Sequence, residues 1–102
     1  MLRHIFIGPV LPGCSGDALS RVVDTLRELP GIVPWIRHLS VEKTLEWSGS
    51  QAVVLIAEFD SRADWEHYMH EPGHLALGDR IKSAIDLANM TVVQTNIADN
   101  RP

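Results

Sequence analysis

The sequence predicts one small α+β domain with element order strand–helix–strand–strand–helix–strand. Three observations predict it. The chain has 102 residues, enough for one domain and too few for two. Apolar stretches with the two-residue period of strands alternate with stretches that follow the helical period. Glycine, proline and serine mark the boundaries between them.

Leu2 to Ile7 is short and rich in β-branched and aromatic residues, so it reads as the first strand. Pro9 lacks an amide hydrogen and belongs at an edge, a bulge or a strand end. Ser15 to Leu29 reads as a helix, with Leu19, Val22, Val23, Leu26 and Leu29 on one face. Ser15 or Asp17 suits its N-cap, and Pro30-Gly31 is expected to stop it. Trp35 to Glu46 alternates, with Trp35, Leu39, Val41 and Leu45 on one side, and predicts a second strand. Ser48-Gly49-Ser50 turns the chain into a hairpin. Ala52 to Phe59 is apolar at nearly every position, as in a strand buried on both faces. Asp60-Ser61 caps a helix carrying Trp65, Tyr68 and Met69 on one face. Pro72 breaks that helix and opens another, expected to run to about Leu87 with Leu77, Ile81, Ala84, Ile85 and Ala88 inward. Met90 to Ile97 is the last strand, and residues 99–102 read as a tail beyond a domain of residues 1–98.

This order is the ferredoxin-like arrangement, in which both helices cover one face of a four-stranded sheet. The other face is left with an apolar set expected to be Ile5, Ile7, Val54, Ile56 and Val92. At ~1.5–3 kcal/mol for each side chain buried, that face represents on the order of 10 kcal/mol of unrealised burial. A domain of this size is stable by only about 5–15 kcal/mol. A second copy laid sheet to sheet is the simplest cover, so a homodimer closed into an α+β barrel is expected.

Composition excludes several classes of function. Apolar residues make up 45%, charged residues 22%, and the formal charge is −4, without the basic stripe that nucleic acid requires. The N-terminal apolar run is too short and interrupted for a membrane span or a signal peptide. With a single cysteine, Cys14, no intrachain disulfide can form, which fits a reducing, cytoplasmic setting. Cys14 has no neighbouring base and reads as an inert thiol. The surrounding Pro12-Gly13-Cys14-Ser15-Gly16 lacks the lysine of a phosphate loop.

Five histidines are the candidates for chemistry: His4, His38, His67, His70 and His74. Pro72 breaks the register between His70 and His74, and no HExxH pattern occurs, so no metal site is expected. His74 stands in line with Leu77 and Ile81, near a helix N-terminus that disfavours the imidazolium. That suits a neutral base. His4 alternates with Leu2 and Phe6, and the sequence leaves open which sheet face it takes. If it faces the helices, His4, Tyr68 and His74 converge on a pocket lined by Phe6, Phe59, Trp65, Leu77 and Ile81. Two imidazoles and a phenol in an apolar cleft suit proton transfer at a carbonyl. Taken singly, each is more often an ordinary core residue with its polar atom satisfied; taken together, the three are balanced between that reading and a site.

Five segments resemble one family: Arg3-His4-Ile5, Leu11-Pro12-Gly13, Leu29-Pro30-Gly31-Ile32, Glu58-Phe59-Asp60-Ser61 and Tyr68-Met69-His70-Glu71-Pro72-Gly73-His74. They look like the stress-responsive A/B barrel (Dabb) domain across nearly the whole chain. The resemblance implies a ferredoxin-like fold dimerised into a barrel. The best understood activity in that family is that of plant olivetolic acid cyclase, a polyketide cyclase that closes a poly-β-keto thioester by aldol condensation without a cofactor. By that resemblance His74 is the general base, Tyr68 polarises a carbonyl and His4 supports the pocket. Three positions depart from it: Glu71-Pro72 replaces His-Pro, Gln94 replaces a last-strand carboxylate, and a pocket histidine falls near Val53. The expected ligand is therefore a small hydrophobic or polyketide-like molecule, handled without cofactor or metal. The alternatives are a non-catalytic dimer that binds such a ligand and a small monooxygenase of the same barrel type.

Overall fold

The computed structural model describes residues 1–45, 47 and 49–97. The expected strand end at Glu46, Ser48 of the hairpin turn, Ala98 and the tail of residues 99–102 lie outside them. Four strands form one antiparallel sheet: β1 (Leu2–Pro9), β2 (His38–Lys43), β3 (Ala52–Phe59) and β4 (Thr91–Asn96). Their spatial order is β2-β3-β1-β4, which places β1 and β3 in the centre. Helices α1 (Gly16–Leu26), α2 (Leu29–Ile32), α3 (Arg62–His70) and α4 (Pro72–Ile81) supply the connections. The fold is ferredoxin-like, as the sequence predicts. No helix among the described residues is long and apolar enough to cross a membrane.

The boundaries differ from the predicted ones for identifiable reasons. Ser15 caps α1 through its side chain, which accepts from the Ala18 amide at 3.1 Å. The helix then ends at Leu26 instead of Leu29. Pro30 does not stop a helix; it lies in the first turn of the short α2, where a missing amide hydrogen costs nothing. Strand β2 begins at His38, and Trp35 instead donates its indole N–H to the Asp64 carbonyl at 2.9 Å. Helix α4 stops at Ile81, short of Leu87. The chain beyond it is claimed by β1: Ile85 bridges Val10, the Leu11 amide donates to the Ala84 carbonyl, and the Asp86 amide donates to the Pro9 carbonyl. Pro9 is the last residue of its strand.

The register separates the two faces. His4 pairs with Ala57 and Gln94, and Phe6 pairs with Leu55 and Val92. In β3 the alternate residues Val53, Leu55, Ala57 and Phe59 are buried, so this is the face the helices cover. The core joins them to Leu19, Val22, Val23 and Leu26 of α1, Tyr68 of α3, and Leu77 and Ile81 of α4. His4 therefore faces the helices. The opposite face carries Ile5, Ile7, Val54 and Ile56, with Ile7 exposed. Val92 does not join them: its pairing with Phe6 turns it toward the helices. Val93, opposite Ile5, is the exposed apolar residue that β4 adds to the open face.

Candidate active site

The site lies between the helix-covered sheet face and the junction of α3 and α4. Ser61 caps α3 by accepting from the Asp64 amide, and the helix delivers Trp65 and Tyr68 over β1. Glu71 ends α3 and caps α4, its carboxylate accepting from the Gly73 amide at 3.2 Å. Gly73 has a packing reason to be glycine, since a Cβ there would run into the Ile32 side chain of α2. That close approach sets the first turn of α4, and the next residue is His74.

His4, Tyr68 and His74 converge. The Tyr68 ring lies between the imidazoles, with centroids 4.0 Å from His74 and 5.5 Å from His4. Phe59 backs Tyr68 at 5.1 Å. The three rings share a cavity of about 260 Å³, near the small end of ligand sites. Its wall is otherwise apolar: Phe6 and Leu55 from the sheet, Leu26 and Leu29 from α1 and α2, Leu77 and Ile81 from α4, and Val92 from β4. Leu75 and Met90, both exposed, stand at its mouth. Among the described residues no Arg, Lys, Asp or Glu lines it.

Burial governs the electrostatics. Desolvation, reinforced by the nearby His74, pulls His4 down to about 4, so it is neutral near pH 7. Desolvation also lowers His74, while the Tyr68 carbonyl and the Glu71 carboxylate oppose it. The carbonyl does not reach His74 in hydrogen-bonding geometry, because Nδ1 is buried with no partner among the described residues. Burial raises the Tyr68 phenol well above its usual range, so it stays protonated. Two neutral imidazoles and a neutral phenol thus face an apolar void.

The predicted site residues take different places. His74, Tyr68, His4, Phe6, Leu77 and Ile81 are on the cavity wall. Phe59, Trp65 and Gln94 are not; they stand behind it. Phe59 is fully buried against Tyr68. Trp65 Nε1 and Gln94 Nε2 each approach His4 Nδ1 at 3.2 Å. The sequence reading missed Leu26, Leu29, Leu55 and Val92 as wall residues. The first three were visible as core positions, and only the register of β4 brings in Val92. The remaining histidines diverge: His67 stacks on Trp35 at 4.0 Å, and His70 Nδ1 meets the Glu66 carbonyl at 2.8 Å. Among the described residues no group of three or more His, Cys, Asp or Glu is placed to hold a metal.

The sequence matches the family model of the stress responsive A/B barrel domain over residues 2–97. The chain belongs to the Dabb family. Solved structures agree on the fold. A dimeric ferredoxin-like protein of unknown function from Thermobifida fusca superposes with a TM-score of 0.79 at 22% identity, covering 94% of this chain and 90% of that one. The hydroxynitrile lyase of Passiflora edulis gives 0.78 at 17% identity, covering 99% and 96%. An antibiotic biosynthesis monooxygenase gives 0.65 at 19%, covering 95% and 98%. No curated protein matches the sequence.

Proposed function

We propose that this Dabb protein is a cofactor-independent general acid/base enzyme acting on a small, uncharged, apolar carbonyl compound. The carrying observation is His74: a neutral imidazole packed at a tilt against Tyr68, its Nδ1 enclosed, at a cavity with no charged wall residue among the described residues. A neutral imidazole is the form that accepts a proton, and an uncharged wall suits an uncharged substrate. With the hydrogen on the enclosed Nδ1, the Nε2 lone pair is left for the substrate. His74 removes a proton next to the carbonyl, and the electron pair moves onto the oxygen to form an enolate. Tyr68, still protonated, hydrogen-bonds that oxygen. The enolate carbon attacks a second carbonyl, and His74 returns the proton to the new alkoxide. Aldol-type closure of a polyketide is the reaction this sequence of steps fits best. A hydroxynitrile lyase shares the fold, and in this site cleavage of a hydroxynitrile would begin with His74 taking the hydroxyl proton.

The open sheet face supports a homodimer as the working form, with Ile5, Ile7, Val54, Ile56 and Val93 against the same residues of a second copy. The overwhelmingly apolar wall favours one rival, a dimer that binds a small hydrophobic ligand without turnover. A neighbour that is a monooxygenase makes oxygen uptake the control reaction.

The test is exchange of α-protons for deuterium in simple aryl and alkyl ketones, followed by NMR in D₂O. The expected result is exchange by the unaltered protein, falling about a hundredfold or more in His74→Ala. Ligand-induced stabilisation with no exchange supports the binding-only rival, and equal rates in a folded His74→Ala variant refute the role of His74.

A further inference from the structure

Trp65 and Gln94 converge on one atom, His4 Nδ1, each at 3.2 Å. An indole N–H can only donate. Its contact therefore requires a lone pair on Nδ1. Gln94, meeting the same lone pair, presents its amide NH₂ instead of its carbonyl. A neutral imidazole carries one hydrogen, which leaves Nε2 as its only place. His4 lies on the cavity wall, and Nε2 is not among the enclosed polar atoms lacking a partner.

We propose that Trp65 and Gln94 are positioning residues that fix His4 as its Nε2–H tautomer, making it an obligate hydrogen-bond donor to the substrate's carbonyl oxygen. The two imidazoles then have separate tasks. His4 offers a hydrogen and has no lone pair free toward the cavity, so the base must be His74. In the enolisation step the proton leaves carbon for His74 while the developing oxyanion receives hydrogen bonds from His4 and Tyr68. The His4 hydrogen is shared and never transferred. Burial supports the arrangement, since an imidazole that resists protonation keeps the Nδ1 lone pair its two donors need. The role of the donor rests on the function proposed above; the tautomer does not.

The experiment is ring-¹⁵N histidine NMR on the full chain, with His4 assigned by loss of its signals in His4→Gln. Two-bond nitrogen–proton correlations distinguish the tautomers directly. The expected result is a pure Nε2–H pattern for His4 that persists well below pH 6. In Trp65→Phe/Gln94→Glu both donors are gone and a carboxylate faces Nδ1. The hydrogen is expected to move to Nδ1, the protonation midpoint of His4 to rise, and ketone exchange to fall about a hundredfold in kcat with KM little changed. Where the double variant does not fold, Gln94→Glu alone serves, because Gln94 is exposed; Trp65 still donates to Nδ1 there, so the reading is the protonation midpoint of His4, which is expected to rise, and an unchanged midpoint overturns the role of Gln94. An Nδ1–H or mixed pattern in the unaltered protein, or an unchanged tautomer in the folded double variant, overturns the proposal. A pure Nε2–H pattern in a protein that exchanges no ketone leaves the lock standing and removes the catalytic reading instead.

Discussion

The two faces of the sheet carry similar side chains and meet different fates. On the inner face Val53, Leu55, Ala57 and Phe59 are buried under the helices. On the outer face their immediate neighbours Val54 and Ile56, with Ile5 of β1, are only half-buried, and Ile7 is exposed. The difference is topological. Both crossovers of this fold pass over the same side, so the chain seals one face and leaves the other to a second molecule. The inner face is also where the polar exceptions are. His4, Tyr68 and His74 break an otherwise apolar surface, and two of them have distinct supports: Trp65 and Gln94 for His4, the Glu71 cap for the start of His74's helix. On the function proposed above, one side of the sheet serves assembly and the other serves chemistry.

Charging the outer face is the strongest way to break this comparison. Ile5 and Ile56 are directly opposed across β1 and β3. Ile5→Asp with Ile56→Asp is expected to weaken dimerisation by about a thousandfold or more, because unpaired carboxylates would be buried. Sedimentation of the variant against the unaltered chain reads this. On the inner face, Phe59→Ala removes a fully buried ring beneath Tyr68. It is expected to cost about 3–5 kcal/mol in denaturant unfolding, without a charge effect on assembly.

A smaller effect comes from pH. The folded-state value of His4, about 4, lies below the unfolded value of 6.5. Between those values the unfolded chain binds the proton and the folded one does not. Stability is therefore full above pH 6.5 and declines as pH falls toward 4, by up to about 3 kcal/mol. His74, also lowered, acts in the same sense. His4→Gln is expected to flatten part of that slope in unfolding curves measured from pH 7 to pH 4.

Much of this was legible in the sequence. The continuous apolar run of Ala52–Phe59, the caps at Ser15 and Ser61, and the break at Pro72 fix the elements and their order. The facing of His4 was not legible, because alternation shows that His4 and Phe6 share a side without showing which side the helices cover. Pairing with Ala57 resolves it. Val92 and Val93 are the sharpest case. Adjacent identical residues carry no alternation signal, and only the register against Phe6 and Ile5 assigns one to the cavity and the other to the open face. The early end of α4 was hidden for a different reason. Ala84 and Ile85 continue its apolar stripe, yet their backbone groups are taken by the residues following β1, a long-range contact that local periodicity does not encode. Gln94 read as the replacement for a last-strand carboxylate, and the β4 register brings it to the far edge of His4.

The contrast between a sealed face and an open one is tested most directly by the mass of the unaltered protein in solution. Sedimentation equilibrium at micromolar concentration is expected to give a single species of twice the chain mass. A stable species of one chain mass, with Ile5, Ile7 and Val93 left in water, would contradict the account.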